Sequence, residues 1–429
     1  MRILIMTFGS RGDVQPFVAL GQALKARGHA VTLSAGAGFE AMIEAAGLNA
    51  APLSVDVRAM IASPEIQEAL RTVSGKIKAW RNSQDMLRQQ VDDTAAIMRA
   101  HEADLLVYHP KAFPAVGMAA AHGTPSMPTF LQPGYVATGA FPTIFMPVGN
   151  LGGIGNRVSH ALMLGLIRLG FATVARTARK RAGTPKTTRW PQALEGYDPR
   201  GGAVPRLHAH SRHLVPKPAD WEPRDHVTGY WFTDPDPDWT PPDDLARFLA
   251  SGPPPVYVGF GSMPAKDADR LTAAVVAAIH QADARGILAT GWGGLGSDLR
   301  ATPASDRILM LEAAPHDWLF PRCAAVVHHG GAGTTHEALR WGRPSILCPV
   351  FGDQPFWARR VAALGAGPDP LPQKRLTADA LADAILQTSD RAMIDRAAGL
   401  GHAIKAEHGA QTAAGIIDDF LAERSERAA

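Results

Sequence analysis

The chain has 429 residues, of which 46% are hydrophobic and 19% charged, a composition typical of a globular protein and not of a disordered one. One hydrophobic core rarely serves a chain of this length, so two domains of about 200 residues are expected. The net charge of +3 conceals a basic half, residues 1–215, and an acidic half, residues 216–429. We interpret the basic excess first as solvated helix surface and second as contact with an anionic membrane. The sequence has no nucleic-acid motif and no aromatic residues interleaved with the basic ones, so a nucleic-acid partner is excluded.

The cysteines and the apolar segments bear on location. Cys323 and Cys348 stand in apolar, strand-like segments and predict no disulfide framework, which fits a reducing cytoplasm. The apolar run at residues 3–6 is too short for the core of a signal peptide. Residues 143–175 are the most apolar stretch, but two arginines interrupt it well short of a membrane span. We interpret this stretch as a core helix, with an interfacial or acceptor-lining helix as the alternative.

The first half alternates short apolar runs with amphipathic segments. Apolar runs at Arg2–Met6, Ala30–Ser34 and 104–108 predict buried strands, and apolar residues at helical spacing predict a helix over residues 16–27. This alternation implies parallel pairing in a doubly wound sheet. The Gly9-x-x-Gly12 spacing after the first strand suggests a dinucleotide site, but the full G-x-G-x-x-G pattern is missing, so we exclude an oxidoreductase.

The second half repeats this organisation beyond a proline-rich segment. Prolines at 233–243 and 252–255 cannot pair inside a sheet, so the domain boundary is predicted near 215–252. Strands are predicted at 256–260, 286–290, 308–311, 324–327 and 345–350. The acids at 234, 236 and 238 lie in the linker and predict no metal site. His208, His210 and His213 lack acidic or cysteine partners, which favours a surface or cleft cluster over a metal site.

Residues 328–337, His-His-Gly-Gly-Ala-Gly-Thr-Thr-His-Glu, follow a predicted strand and form the most informative motif. Glycine-turn amides and the N-terminus of a helix predicted to begin at about Thr334 suit a diphosphate, and His329 can donate to its oxygens. Glu337 can accept hydrogen bonds from a ribose, although Thr334 and Glu337 also match a capping box that would serve only the helix start. Asp353 and Gln354 can bind sugar hydroxyls after the next strand. Together these groups predict a nucleotide-sugar site.

The motif resembles the donor-binding signature of the GT-B nucleotide-sugar glycosyltransferases of the UDP-glycosyltransferase superfamily. The sterol glucosyltransferase-like and bacterial antibiotic glycosyltransferase branch is the most similar, through residues 315–321 (PHDWLFP), 328–335 and 352–357 (GDQPFW). Residues 9–16 (GSRGDVQP), 218–221, 229–232 and 256–263 (VYVGFGSM) are similar too, so the resemblance covers both halves.

The resemblance implies a GT-B fold, an α/β architecture in which two Rossmann-like doubly wound domains face each other across a cleft. It implies an acceptor-binding domain at 1–215, a linker at 216–252, a nucleotide-sugar domain at 253–410 and a helix at 411–429 that crosses back to the first domain. The implied donor-binding residues, in addition to those named above, are Ser10, Arg11, Gly12, Gly261, Ser262, His316, Gly331, Ala332 and Gly333.

The chain departs from the family at three points. Plant members carry a tryptophan where this chain has Ala313, so we expect Trp292 to stack on the base instead. Fungal sterol enzymes carry membrane-targeting modules before the catalytic region, and this chain begins directly at that region. The family usually has tyrosine and serine where this chain has the histidines at 208–213.

The expected reaction transfers a hexose from UDP-glucose to a hydroxyl of an apolar acceptor such as a sterol, polyketide or flavonoid, with inversion and without metal or other cofactor. Asp13, at the cleft mouth after the first strand, is the expected general base. The alternative is that Asp13 only caps the helix containing Pro16; His109 and His122 would then be candidates for the base. The functional alternatives are a dTDP-deoxysugar transferase, a sugar-nucleotide epimerase and a non-catalytic nucleotide-sugar binder.

Overall fold

The computed structural model describes residues 1–56, 88–146, 148–182, 194–261, 268–290 and 306–427. It contains two parallel sheets, one of seven strands and one of five, each flanked by helices. The predicted α/β class with two doubly wound domains is therefore confirmed.

The first sheet has the strand order β3-β2-β1-β4-β5-β6-β7. Ile3 of the central strand β1 pairs with Val31 on one side and with Leu105 on the other. Its apolar run is buried on both faces because helices cover both sides of a parallel sheet. The strands are β1 (Arg2–Met6), β2 (Ala30–Ser34), β3 (Asn49–Ala50), β4 (Leu105–Tyr108), β5 (Ser126–Phe130), β6 (Arg206–His208) and β7 (Asp225–Val227).

Four labelled helices belong to this half, and residues 88–100 are helical as well. The labelled helices are α1 (Arg11–Ala26), α2 (Glu40–Ala45), α3 (Pro114–Ala121) and α4 (Gly152–Ala182). Helix α1 begins at Arg11, whereas the sequence analysis placed its start at residue 16. Ser10 is the N-cap, so Pro16 lies inside the helix and the capping assignment of Asp13 was wrong in position.

The second sheet has the order β10-β9-β8-β11-β12. Its strands are β8 (Val256–Gly259), β9 (Gly286–Ala289), β10 (Ile308–Leu311), β11 (Ala325–His328) and β12 (Ser345–Leu347). The helices of this half are α5 (Asp243–Ala250), α6 (Ala268–Gln281), α7 (His316–Leu319), α8 (Ala332–Arg340), α9 (Gln354–Ala363), α10 (Ala378–Gln387) and α11 (Arg391–Lys405).

The segment between the two sheets contributes to the first of them. Strand β7 lies within residues 216–252, which the sequence analysis assigned entirely to a linker, so the N-terminal domain extends beyond residue 215. Its Asp225 is fully buried and paired with Arg206 at 2.6 Å and with His208 at 2.9 Å. Short strands with charged residues carry no apolar periodicity, which is why the sequence analysis missed them.

The final helix returns to the N-terminal half. Helix α12 (Gly409–Glu426) packs along α1 and buries Ala413, Ile417 and Phe420 in the core of the first sheet. None of the helices in the described ranges is both long and apolar enough to cross a membrane.

Candidate active site

The candidate site lies where the carboxyl ends of β1 and β4 face those of β8, β11 and β12. Loops at the carboxyl ends of parallel strands are where doubly wound sheets bind ligands. Contacts between the two halves border this region. Gln15 Nε2 donates to Thr233 Oγ1 at 2.9 Å, and the ring of Phe141 lies 5.4 Å from that of Phe356.

The glycine turn after β11 is shaped by close contact with His329. A β-carbon at Gly331 would lie 2.5 Å from Nε2 of His329, and one at Gly261 would lie 2.8 Å from its Cε1. Gly330 has a φ of 90°, which glycine adopts without strain. Glycine at these positions therefore lets the imidazole lie directly against the turn.

Helix α8 begins at Ala332, two residues earlier than predicted, and Gly331 is its N-cap. No side chain among the described residues caps it. The amides of the first turn, which includes Gly333 and Thr334, therefore point into the site without an intrahelical acceptor. Such a helix start stabilises an anion.

His329 and His316 are neutral imidazoles beside this helix start, and each is half-buried. Burial lowers the pKa of His329 to about 4, and its Nδ1 has no hydrogen-bond partner within the described part of the chain. Burial, then the charge of Arg11, lowers the pKa of His316 to about 4. His316 stacks on Phe320 at 4.4 Å, and its Nε2 lies 3.3 Å from the hydroxyl of Tyr257. At pH 7 His329 therefore keeps one N–H to donate, and Arg11 reaches the donor side from the other domain.

Glu337 is held by its own helix. Its Oε1 accepts from Trp341 Nε1 at 2.6 Å and lies 3.5 Å from Arg340. Burial raises its pKa to about 7. The capping-box alternative is wrong, because Thr334 is the third residue of the helix and not its N-cap. Glu337 keeps one oxygen for a ligand.

Asp353 and Gln354 differ in what their side chains do. Asp353 Oδ2 accepts from Trp357 Nε1 at 2.9 Å, and burial raises the pKa of this carboxyl. Gln354 Oε1 accepts from the amides of Val350 at 2.8 Å and Phe351 at 3.3 Å. The carboxamide oxygen of Gln354 therefore shapes the loop, while Asp353 retains an oxygen for a ligand.

Asp13 lies at the third position of α1 in a dense set of contacts. Its Oδ2 accepts from Ser10 N at 2.9 Å and from Ser10 Oγ at 3.2 Å, and its Oδ1 pairs with Lys111 Nζ at 2.6 Å. Burial raises the pKa of Asp13, but Lys111, with His109 and the amide of Ser10, outweighs burial and holds the pKa below its usual value. Next to it, Gly12 and Arg11 form the first turn of the helix, and Arg11 Nε donates to Gln15 at 3.2 Å.

Lys111 and Tyr135 also belong to the site and were not predicted from the sequence. Lys111 follows β4, the strand next to β1, and could have been found because parallel neighbours end at one edge. Tyr135 is buried; burial, then the charges of Asp13 and Asp353, raises its pKa, so this ring lies within reach of both carboxylates. No motif marks Tyr135.

His109 and His122, the alternative candidates for the general base, have different surroundings. His109 is fully buried, its Nδ1 accepts from the amide of Lys111 at 3.2 Å, and burial lowers its pKa to about 3. His122 ends α3 and its Nδ1 lies 2.8 Å from the carbonyl of Met118, away from the other groups. His109 belongs to the site and His122 does not.

Other predicted positions fall outside the site or outside the described residues. Ser262 and Trp292 lie outside the described residues. His208 and His210 are fully buried, so the prediction of a surface or cleft cluster was wrong for these two, whereas His213 is exposed. His208 stacks on Trp221 at 4.1 Å and binds Asp225. Within the described ranges no group of three or more His, Cys, Asp or Glu could hold a metal ion.

Comparison with known families gives two matches, one for each half. Residues 3–136 match the glycosyltransferase family 28 N-terminal domain, and residues 273–417 match the erythromycin biosynthesis protein CIII-like C-terminal domain.

Three curated relatives illustrate the similarity. A sterol 3-beta-glucosyltransferase of Arabidopsis thaliana is 35% identical over 430 residues, which are 98% of this chain and 65% of the relative. The O-mycaminosyltylonolide 6-deoxyallosyltransferase of Streptomyces fradiae is 36% identical over 437 residues, 99% of each chain. The chain spans less than two thirds of the plant relative and 29% of a sterol 3-beta-glucosyltransferase of Aspergillus fumigatus.

Solved structures share the fold. The glycosyltransferase of kitacinnamycin superposes with a TM-score of 0.70 at 20% identity, covering 98% of this chain and 99% of its own. The glycosyltransferase VinC in complex with dTDP superposes with a TM-score of 0.66 at 20% identity, covering 99% and 100%. These likenesses identify the fold as GT-B.

Proposed function

The chain is a GT-B glycosyltransferase of the family that includes sterol 3-beta-glucosyltransferases and bacterial antibiotic glycosyltransferases, and from this premise we propose that it transfers glucose from UDP-glucose to a hydroxyl of an apolar acceptor with inversion. The observation that carries the proposal is the start of α8. Its amides have no side-chain cap within the described chain, and the neutral imidazole of His329 lies against the turn. That combination suits a diphosphate leaving group.

The donor would be held from both domains. The α8 amides and His329 N–H bind the diphosphate oxygens, and the charge of Arg11 approaches from the other side of the cleft. Glu337 offers its second oxygen to the ribose. We propose that Trp292 stacks on the nucleobase of the donor. Asp353 binds hexose hydroxyls through the oxygen that Trp357 leaves available.

The transfer needs a base on the opposite side of C1 from the diphosphate. The Asp13 carboxylate accepts the proton of the acceptor hydroxyl while its oxygen forms the new bond to C1 and the C1–phosphate oxygen bond breaks. UDP leaves with the bonding electrons, and its charge is stabilised by the α8 amides. Oδ2 of Asp13 already accepts two hydrogen bonds from Ser10, but Oδ1 accepts only the one from Lys111, so one position on Oδ1 remains for the hydroxyl. Displacement from the opposite face converts an α-linked donor into a β-glycoside.

The acceptor we propose is an apolar molecule with a hydroxyl, a sterol or a polyketide or flavonoid aglycone. Tyr135 lies among aromatic rings, stacked on Phe130 at 5.5 Å and in edge contact with Phe145 at 5.6 Å. An apolar wall beside the base suits an apolar ring system. The names of the plant and bacterial relatives fit the same class.

Catalysis without metal and a cytoplasmic location belong to the same proposal. The α8 amides and His329 provide the charge stabilisation that a divalent ion would otherwise give. The buried thiols of Cys323 and Cys348, whose pKa burial raises to about 12, suit a reducing compartment. Peripheral contact with a membrane through the basic N-terminal domain is also proposed.

A dTDP-deoxysugar is the second candidate donor. The Streptomyces relative, which matches over 99% of both chains, is named as a 6-deoxyallosyltransferase. A donor without the 6-hydroxyl would need fewer polar contacts around Asp353.

The test is an acceptor screen read by mass spectrometry. Sterols, macrolide aglycones and flavonoids are incubated with UDP-glucose or dTDP-glucose, with and without EDTA, and Asp13→Asn serves as the matched catalytic control. A β-linked hexosyl product from UDP-glucose that persists in EDTA is expected. Donor turnover without acceptor would identify an epimerase, and UDP binding without any product would identify a binding protein.

A further inference from the structure

The outer face of α4 carries an exposed apolar stripe. Ile154 is 82% exposed and Leu169 is 74% exposed, and Val158, Leu162 and Leu166 between them are half exposed or more. A spacing of three or four residues places all five on one side of the helix. At about 1.5 Å per residue, the stripe is roughly 22 Å long. Single exposed aliphatic residues are ordinary, but a continuous stripe of this length marks an interaction surface.

The inner face of the first turns of α4 is polar, which reverses the usual pattern of a helix on a water-exposed surface. Further along the helix, Leu164 and Ile167 pack against the apolar core. Asn156 Nδ2 donates to the carbonyl of Gly139 at 2.9 Å, and Ser159 Oγ accepts from the amide of Thr143 at 2.8 Å. His160 is also fully buried. In these first turns polar groups therefore pack inward while large aliphatic groups point outward, the arrangement that an apolar surrounding favours.

Basic residues continue the exposed face toward the end of α4. Arg176 and Lys180 are exposed and, at about 100° per residue, lie within roughly 40° of Leu162 around the helix axis. No Asp or Glu lies anywhere between Asp104 and Glu195 in the sequence. Near the start of the helix Arg157 is paired with Asp220 at 2.8 Å. The exposed charges of Arg176 and Lys180, together with the aliphatic stripe, therefore suit a partner that has an anionic surface and an apolar interior.

The first turns of α4 support the loop that contains Tyr135, Thr143 and Phe145 and lies beside the proposed general base, Asp13. Thr143 of that loop donates to Ser159, and Phe145 packs edge-on against Tyr135 at 5.6 Å. Tyr135 in turn lies within reach of the charge of Asp13. The exposed stripe and the acceptor side of the cleft thus share one structural unit.

We propose that α4 lies in the headgroup layer of an anionic lipid bilayer, with its aliphatic stripe in the acyl region and Arg176 and Lys180 on lipid phosphates. An apolar, cationic helix that does not span a membrane binds in this orientation. The acceptor side of the cleft then opens toward the lipid, so that a hydroxylated lipid enters without passing through water. This consequence for catalysis rests on the proposed function; the docking itself does not.

The docking test uses the full chain and sedimentation with vesicles of phosphatidylcholine alone or mixed with phosphatidylglycerol, without donor or acceptor. We expect binding to the mixed vesicles and little to the neutral ones. The double variant Leu162→Gln with Leu166→Gln should lower binding by about tenfold or more, because two side chains no longer enter the acyl region. Leu386→Gln, which changes a leucine that is 54% exposed on α10, is the matched control and should bind like the unaltered protein.

The same sedimentation experiment with the double variant Arg176→Glu and Lys180→Glu tests the role of charge. This variant should lose the protein's preference for vesicles that contain phosphatidylglycerol. High salt should weaken binding of the unaltered protein as well. The proposal is overturned if the unaltered protein does not sediment with mixed vesicles, or if the leucine variant binds as well as Leu386→Gln. A dimer of the unaltered protein that the leucine variant dissociates would assign the stripe to a second copy of this chain.

A third measurement separates docking from chemistry. With an acceptor dissolved in vesicles, the leucine variant should lose about the same factor in rate that it loses in binding. With a water-soluble acceptor its rate should match the unaltered protein. Absence of transfer by every form of the protein would refute the proposed function and leave the vesicle result intact.

Discussion

At the scale of single residues, the surroundings of Asp13 combine two properties that a base needs. The contacts with Ser10 and Lys111 fix the orientation of the carboxylate and keep it ionised. The same contacts lower its pKa and so make it a weaker acceptor of protons. Precise placement therefore has to compensate for low basicity, which is the usual balance in a positioned general base.

Asp13→Asn tests the proposed base with little change of shape. The amide oxygen still accepts a hydrogen bond from Ser10, which remains the N-cap of α1. The amide loses the ion pair with Lys111, so the melting temperature should fall modestly. The value of kcat should fall by about 10²–10⁴ because an amide cannot take the proton. UDP affinity, measured by calorimetry, should be unchanged. Turnover near that of the unaltered protein would leave Asp13 with a purely structural role and would make His109 the next base to examine.

Lys111→Met tests whether the ammonium group sets the pH profile. Lys111 lowers the pKa of Asp13 against the opposing effect of burial, so its removal should raise that pKa. The acid limb of the kcat/KM profile should then move to higher pH. Lys111→Arg keeps the charge and is the matched control, with a limb near that of the unaltered protein. An unshifted limb in Lys111→Met would show that Asp13 does not titrate in that limb.

At the scale of elements, the turn between β11 and α8 forms one diphosphate-binding unit. His329→Ala should reduce the affinity for UDP by about 1–3 kcal/mol, because one hydrogen bond to a charged oxygen is lost. UDP should consequently raise the melting temperature less in this variant than in the unaltered protein. His122→Ala, outside the site, is the control and should keep the full thermal shift. Equal UDP shifts in the two variants would remove His329 from the donor site.

The loop between β12 and α9 separates two residues that the sequence analysis treated as a pair. Asp353→Asn should lower the use of UDP-glucose and leave UDP affinity intact, because its available oxygen is expected to meet only the hexose. Gln354→Ala should weaken both, since its carboxamide oxygen holds the amides of Val350 and Phe351. Donor kinetics and UDP calorimetry on both variants measure this difference. If the two variants behaved alike, the loop contacts of Gln354 would not matter for the donor.

The elements differ in how well the sequence predicted them. Strand β1 was predicted to the residue, because four consecutive buried aliphatic residues leave no alternative to a central strand. Strand β7 was missed because it is three residues long and pairs through a buried carboxylate. The start of α1 was placed five residues late because Pro16 suits a first turn, whereas Ser10 and Asp13 form the actual start.

At the scale of the whole molecule, the two halves of the site were predictable to different degrees. The diphosphate turn is contiguous in the sequence, so one motif predicted its type and most of its residues. The other half depends on groups far apart in the chain, since Lys111 meets Asp13 across 98 residues. Pairings of that kind arise from the order of the strands, which the apolar pattern alone does not specify.

The two halves also meet directly at His336. Its Nε2 accepts from the amide of Ser211 at 3.2 Å, and its Nδ1 lies 2.7 Å from the carbonyl of Ala332, to which it donates. The ring stacks on Tyr230 at 4.5 Å. Burial lowers its pKa to about 4. This junction therefore requires a neutral imidazole that accepts on one side and donates on the other.

The pH dependence of stability tests this junction. In the unfolded chain the histidine has a pKa of about 6.5, and in the folded protein about 4, so the unfolded state binds more protons between these values. The stability that a neutral His336 contributes is fully present above pH 6.5 and is lost as the pH falls toward 4. At pH 5 the loss is on the order of 2 kcal/mol for this group.

His336→Gln keeps an acceptor and a donor but cannot gain a proton, so the melting temperature of this variant should fall less between pH 7 and pH 5. Other buried histidines titrate in both proteins and cancel in the comparison. Parallel melting curves across this range would mean that the pKa of His336 in the folded protein lies near its value in the unfolded chain, because water reaches the ring.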